Sequence, residues 1–326
     1  MGLTADSISV EQQIAGGIER FLAESRSAGH LSDTILKWLR AENKPGGKQY
    51  PWGNLLFTIG DAFGDSQETI VQVAVAMELY ALAADIFDDI EDQDNDELPW
   101  RRVPAAQAIN TANLILLLSF KALAAINDHA RYRQANDIFQ TMGITACHGQ
   151  NQEFLYEGQD AITLDQYFDT VCKKSGALTA GACKLAAVLA GCDTSLILYL
   201  DKFGQNLGII SQIKNDLQDL FRVEAKSDLR LGKKTLPLVY LANVLKQNKA
   251  KTEELYQLCS AAQQKGPEFG SVETERLRQF IIQEGAAHYC SVICACFKRE
   301  ALEILDTMNI AEEQKRKLIA LVENQT

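Results

Sequence analysis

The stretch Ala83-Ala84-Asp85-Ile86-Phe87-Asp88-Asp89-Ile90-Glu91-Asp92 decides how this 326-residue chain is read. Its aspartates recur at i, i+3, i+4 and i+7, a spacing that on a helix stacks Asp85, Asp88, Asp89 and Asp92 along one stripe. Like charges so placed repel by ~0.2–0.5 kcal/mol per exposed pair, and by more when partly buried. The residues leading in, Val71 to Ala84, are almost wholly apolar on several faces. The stripe therefore caps a buried helix, which a solvated acidic face would not do. A hard divalent cation with oxygen ligands, Mg²⁺ above all, is the natural neutralising partner.

Working outward, a second cluster has the same character. In Gln212-Ile213-Lys214-Asn215-Asp216-Leu217-Gln218-Asp219, the side chains of Gln212, Asp216 and Asp219 share a helical face behind the apolar run Leu207-Gly208-Ile209-Ile210. Two oxygen-rich helix ends could close over one anion with metal between them. Mg²⁺ takes one or two carboxylates plus substrate phosphates and keeps waters, which suits a diphosphate. Basic residues accompany both clusters: Gly46-Gly47-Lys48, Arg101-Arg102, Lys173-Lys174-Ser175-Gly176 and Gly232-Lys233-Lys234-Thr235-Leu236-Pro237. A Lys pair alone is an ordinary solvated face; this set supplies what an enclosed anion requires.

The rest of the chain reads as helix. Apolar residues recur at three- and four-residue spacing over Ile8–Leu22, Leu31–Leu39, Thr69–Ile90, Ala105–Ile126, Asn136–Leu155, Leu164–Leu189, Thr194–Leu220 and Gly285–Met308. Only 6 prolines and 21 glycines argue against a many-turned β-sandwich. No Gly-, Ser- or Pro-rich linker divides the sequence, so one all-α domain over residues 1–326 is expected. A net charge of −11 argues against nucleic-acid binding, which needs clustered cations. The most apolar run, Leu114 to Phe120, is short of the ~20 residues that cross a bilayer. The first residues, MGLTADSISVEQQ, lack a basic start and an apolar core, so no secretory leader and a cytosolic location are expected. The 8 cysteines show no zinc spacing and read as reduced, small core residues, with Cys290, Cys294 and Cys296 close together on a helix.

With these residues in hand, the chain resembles the trans-polyprenyl diphosphate synthase family from about Gly46 to Pro237. Asp88–Asp92 (DDIED) matches the first Asp-rich motif and Gln212–Asp219 resembles the second. Gly46-Gly47-Lys48, Arg101-Arg102, Gly149-Gln150, Lys174-Ser175-Gly176 and Ser227-Asp228-Leu229 through Pro237 match smaller signatures in the same order. The resemblance implies an all-α isoprenoid-synthase bundle around a central apolar cavity, and a homodimer. It implies three Mg²⁺ ions, two on the first motif and one on the second, held by Asp88, Asp89, Asp92, Gln212, Asp216 and Asp219. An allylic isoprenyl diphosphate of the geranyl or farnesyl class would be gripped by Lys48, Arg101, Arg102, Lys174 and Lys233, with Asp88, Asp89 and Lys174 catalytic. Metal and cations stabilise the leaving diphosphate, and an apolar cavity keeps water from the carbocation. Counting turns back from Asp88 places small Ala84 and Ala83, with Phe87, along the prenyl tail, and Tyr80 and Met77 at its floor.

The departures concern the acceptor. The family's isopentenyl diphosphate loop, GGKRxRP, here reads Gly46-Gly47-Lys48-Gln49-Tyr50-Pro51, without the arginines. The family His three residues after the Glu matching Glu78 is Ala81. Losing two such anion contacts, each worth about 1.5–3 kcal/mol, would cripple isopentenyl diphosphate binding. An intact donor side with an eroded acceptor side resembles the ComQ branch, which prenylates a tryptophan of a small quorum-sensing pre-peptide. The alternatives are an isoprenyl diphosphate synthase with unusual acceptor contacts, a terpene cyclase, and a non-catalytic partner subunit. Asp85, apolar in the family, is left as either an acceptor for Lys or Arg or a fourth metal-facing carboxylate.

Overall fold

A computed structural model of the protein describes residues 9–25, 31–42, 49–64, 67–93, 95–221, 233–263 and 271–324, and every regular element among them is helical. The order is α1 (Val10–Glu24), α2 (Ser32–Glu42), α3 (Pro51–Phe63), α4 (Gln67–Asp92), a 3₁₀ turn (Pro99–Arg102), α5 (Ala105–Leu123), α6 (His129–Glu157) and α7 (Leu164–Val171). A π-helical turn (Cys172–Gly176) joins α7 to α8 (Ala177–Leu189). There follow α9 (Thr194–Asp219), α10 (Leu236–Val244), α11 (Lys249–Gln263), α12 (Ser271–Gln283), α13 (Ala286–Thr307) and α14 (Glu312–Glu323).

Local chemistry sets the ends. Ser9 with Gln12 and Thr163 with Gln166 form reciprocal capping boxes on α1 and α7. Pro51 takes the first turn of α3, where its missing N–H costs nothing, and Gly64 ends that helix in the left-handed region (φ 82°). The periodicity reading passes over α3 and treats its surroundings as loop, because Pro51 looks like a breaker until it stands at a helix start. It also runs α7 and α8 together. The structure opens that run at the Lys-Lys-Ser-Gly signature, a π-turn of the kind often found at functional sites.

The chain forms two compact units: Met1–Gln140 with Ala182–Leu200 and Ile310–Leu318, and Thr141–Gly181 with Asp201–Asn309 and Ile319–Thr326. In the first, α4 packs against α1, α3 and α5. Val73, Met77, Leu79, Leu82 and Ile86 line its buried length, and Phe139 stands edge-on between Tyr80 and Phe120. In the second unit, the π-turn is approached closely by two other helices. A Cβ on Gly149 of α6 would lie 2.5 Å from the Lys174 nitrogen, and one on Gly208 of α9 would lie 2.5 Å from the Ser175 oxygen. Nearby, Ile162, Tyr167, Val171, Ile213, Leu236 and Cys290 form one core cluster.

Two sequence expectations are corrected. Among the described residues two helices are long and apolar enough to cross a membrane, Thr69–Asp92 with mean hydropathy 1.7 and Ala105–Leu123 with 1.2. An unbroken apolar run misses them because scattered polar residues interrupt the run without lowering the helix average. The α4 window is 72% buried inside the protein itself. The cysteines are free, but only Cys183 and Cys290 are fully buried, while Cys147 and Cys296 are exposed.

The close approach at the π-turn is testable. Gly149→Ala should cost about 1–3 kcal/mol by forcing the Lys174 backbone aside, whereas Gly158→Ala, with open space around it, should be near neutral. Urea unfolding midpoints of the two variants compare them directly.

Candidate active site

α4 is apolar through most of its length and then ends on Asp88, Asp89 and Asp92 with no basic residue in its last turn. A helix C-terminus already carries the equivalent of about half a negative charge, so carboxylates there add to the wrong pole. The structure treats the members of the stripe differently. Asp85 is exposed, Asp88 and Asp92 are half-buried, and Asp89 is buried at 6% exposure. The Asp89 oxygens accept hydrogen bonds from Trp100 Nε1 and Asn95 Nδ2, both at 2.6 Å. Gln93 and Asn95, with φ of 56° and 50°, reverse the chain after α4 so that this can happen.

Asp85 has an acidic neighbour that the spacing does not announce. It shares a hydrogen bond with Glu42 of α2, and burial followed by that bond holds the Glu42 carboxyl well above the usual range. Glu78, deeper in α4, accepts from the Gly53 amide at 2.7 Å, yet burial pushes its pKa up to about 8. Tyr50 lies buried in left-handed geometry (φ 52°), its phenol pushed up by burial and by Glu78.

The residues placed along a prenyl tail divide. Ala84 and Phe87 keep accessible surface, and Tyr80 is 7% exposed against Phe139. Met77 (1%) and Ala83 (0%) are closed into the core around a helix packed by α1, α3 and α5. That removes the latter two from any open lining.

The second cluster sits at the C-terminus of α9, again with no basic residue in the last turn. Asp216 and Asp219 are buried, Gln212 half-buried and Asn215 exposed. Asp216 is held from three sides. The Tyr167 hydroxyl and the Leu236 amide donate to its Oδ2 at 2.6 and 2.7 Å, and Gln212 Nε2 donates to Oδ1 at 2.8 Å. Ser175 Oγ donates to Gln212 Oε1 at 2.8 Å, tying the π-turn into the set. Burial, then the Asp216 charge and hydrogen bond, drive the Tyr167 phenol well above its ordinary value, so it remains a donor. Burial likewise pushes the Cys290 thiol up to about 12, which leaves it inert.

The cations are spread over several settings. Arg101 pairs with Asp96 at 3.1 Å, and Arg102 is exposed. Lys174 pairs with Glu153 of α6 at 2.6 Å, and Lys173 with Asp169 at 2.5 Å. Lys233 and Lys234 line a pocket of about 340 Å³ with Tyr256 and Cys259. Lys48 lies outside the described residues. Sequence reasoning missed Trp100, Asn95, Tyr167 and Glu153. Trp100 lies 11 positions after Asp89 and Tyr167 49 positions before Asp216, and no spacing rule links such pairs.

Among the described residues no group of three His, Cys, Asp or Glu side chains is arranged to hold a metal by itself. The donors present are hard carboxylate and amide oxygens. They fit Mg²⁺, which completes its shell with waters and substrate phosphate and does not need an all-protein cage.

The polyprenyl synthetase family profile matches residues 33–269. Among curated relatives, the tryptophan prenyltransferase ComQ of Bacillus spizizenii is 27% identical over 247 residues, 76% of this chain and 84% of its own. Geranylfarnesyl diphosphate synthase of Aeropyrum pernix is 25% identical over 275 residues, covering 79% and 82%. The crystal structure of a polyprenyl synthetase from Streptomyces coelicolor A3(2) superposes with a TM-score of 0.84 at 23% identity, over 97% of each chain. That likeness establishes the all-α isoprenoid-synthase fold.

Glu78 gives the site a pH signature. Its folded pKa of about 8 lies above the 4.5 of the free carboxyl. Between those values the folded chain holds a proton that the unfolded chain has lost, so this contribution to stability falls as pH rises from 4.5 to about 8. Glu78→Gln, which keeps the acceptor for Gly53, should make that decline markedly shallower and leave the protein more stable above it. Chemical denaturation across the window checks this; an unchanged slope would refute the assignment.

Proposed function

The chain belongs to the polyprenyl synthetase family and is an enzyme that transfers prenyl groups; from that premise we propose that it ionises an allylic isoprenyl diphosphate, geranyl or farnesyl in class, and passes the prenyl group to a tryptophan of a small peptide. The observation that carries the acceptor assignment is Tyr50. A buried phenol stands just before Pro51, where the family loop has an arginine, beside Glu78 and with Ala81 in place of the family histidine. Nothing at these positions rewards a second diphosphate. The ComQ relative supports the same acceptor.

In this reading, Asp88 and Asp92 are Mg²⁺ ligands for the diphosphate, and Gln212 and Asp219 are a second set of Mg²⁺ ligands. Bound there, Mg²⁺ neutralises the diphosphate and makes it a better leaving group. Lys174, released from Glu153, takes a share of the phosphate charge, as do Arg101, Arg102, Lys48 and Lys233. The allylic C–O bond breaks and its electron pair leaves with the diphosphate. Ala84 and Phe87 face the tail, with Tyr80 behind them, and apolar walls exclude water from the cation. The indole π pair then forms the new C–C bond, and the ring sheds one proton to the departing diphosphate. Homodimerisation and a cytosolic setting belong to the same proposal. Ile109 and Leu117, exposed on α5, supply an apolar face for a second copy.

Aeropyrum pernix geranylfarnesyl diphosphate synthase, matched over a similar span, keeps a second reading open, condensation with isopentenyl diphosphate. One experiment separates them. The purified protein is incubated with Mg²⁺ and farnesyl or geranyl diphosphate, and offered either a Trp-containing peptide or radiolabelled isopentenyl diphosphate. Mass spectrometry should show the peptide gaining one prenyl unit, abolished by Trp→Ala in the peptide. Rapid chain elongation with no peptide product would overturn the proposal.

A further inference from the structure

The turn that follows α4 carries a residue that the proposed chemistry leaves unused. Trp100 is 1% exposed, is wedged edge-on against Trp38 of α2 with ring centroids 6.0 Å apart, and aims its only polar atom at Asp89. An indole N–H donates and cannot accept, so its partner must keep a lone pair permanently turned toward it. Asn95 takes the other Asp89 oxygen from an exposed position in left-handed backbone. The Leu98 amide donates to the Asn95 carbonyl at 2.9 Å and the Arg101 amide to the Leu98 carbonyl at 3.0 Å, so successive backbone turns link the stretch from Asn95 to Arg101 that carries both donors. A buried carboxylate is tolerated only when donors satisfy it, and Trp100 and Asn95, two of the donors on Asp89, come from this one segment.

We propose that Trp100 is a positioning residue acting through Asp89. Asp89 is the anchor of the first acidic motif, and Asp88 and Asp92, four residues apart on one helical face, are the side chains that the anchor presents to metal and diphosphate. This rests on the diphosphate-site reading above and deepens it, by dividing three adjacent aspartates into one that holds the helix end and two that bind. Outer donors of this kind set the orientation of metal-binding groups, and their loss typically weakens metal affinity 10–100-fold. The turn Pro99–Arg102 thus has a physical task, to supply the indole that fixes the motif's geometry.

Calorimetric titration of Mg²⁺ into full-length protein holding inorganic pyrophosphate reads the effect without turnover. Trp100→Phe should weaken Mg²⁺ binding about tenfold. Asn95→Gly removes the other donor at a position whose backbone suits glycine, and serves if the Phe variant fails to fold. It should weaken binding in the same direction. Asp89→Asn, which still accepts from Trp100, should lose less affinity than Asp88→Asn. A protein with Trp38→Phe and Trp52→Phe retains Trp100 as its sole tryptophan. Its emission should shift on adding Mg²⁺ with pyrophosphate. Wild-type affinity in both donor variants, or Asp89→Asn as damaging as Asp88→Asn, would overturn the role of Trp100 while leaving the diphosphate site intact. If the wild-type protein takes up no Mg²⁺ with pyrophosphate, the diphosphate reading itself falls, and the role of Trp100 with it.

Discussion

Negative charge at the negative end of a helix dipole is the constraint on which this structure depends. α4 and α9 are long, largely apolar helices, and each finishes on aspartates with no Lys or Arg in its last turn. The C-terminal carbonyls already repel anions there. Carboxylates three and four residues apart repel one another as well. A fold retains such ends when a cation arrives to reward them. Under the proposed function, the same repulsion that costs stability in the free protein is what Mg²⁺ and a diphosphate would relieve.

Around that constraint the chain divides labour among its acids. Asp89 and Asp216 are buried and each is satisfied by an aromatic donor at 2.6 Å, Trp100 and Tyr167 respectively, together with other N–H donors. At Glu42 and Glu78 burial instead raises the carboxyl pKa, to about 8 at Glu78. Asp88 and Asp92 keep partial access to solvent. Cationic side chains are engaged with carboxylates, Lys174 with Glu153 and Arg101 with Asp96, so the proposed diphosphate would exchange ion pairs there.

Much of this was legible in the sequence because it is local. The i, i+3, i+4, i+7 aspartates, the helical periodicities and the order of the small basic signatures all lie within a few turns of chain. The all-α isoprenoid-synthase fold and the family followed from them. What stayed hidden depends on packing or on distant pairs. Met77 and Ala83 sit at the expected helical positions, but neighbouring helices close over them. Asp85 meets an acid from α2, Glu42, which no local spacing announces. The membrane-length hydropathy of α4 is invisible to a search for unbroken apolar runs. The indole on Asp89 and the phenol on Asp216 arise from residues whose composition gives no hint of a partner. The π-turn at Lys174 likewise needs Gly149 and Gly208 to be seen against it.

Thermal unfolding of the wild-type protein with Mg²⁺, with inorganic pyrophosphate, and with both tests the central claim most directly. A ligand that binds only the folded state raises its stability. If the acidic helix ends are cation sites completed by a diphosphate, the midpoint rises with the two together far beyond the sum of their separate effects. No rise with both present, or a rise from pyrophosphate that Mg²⁺ does not enlarge, would contradict it.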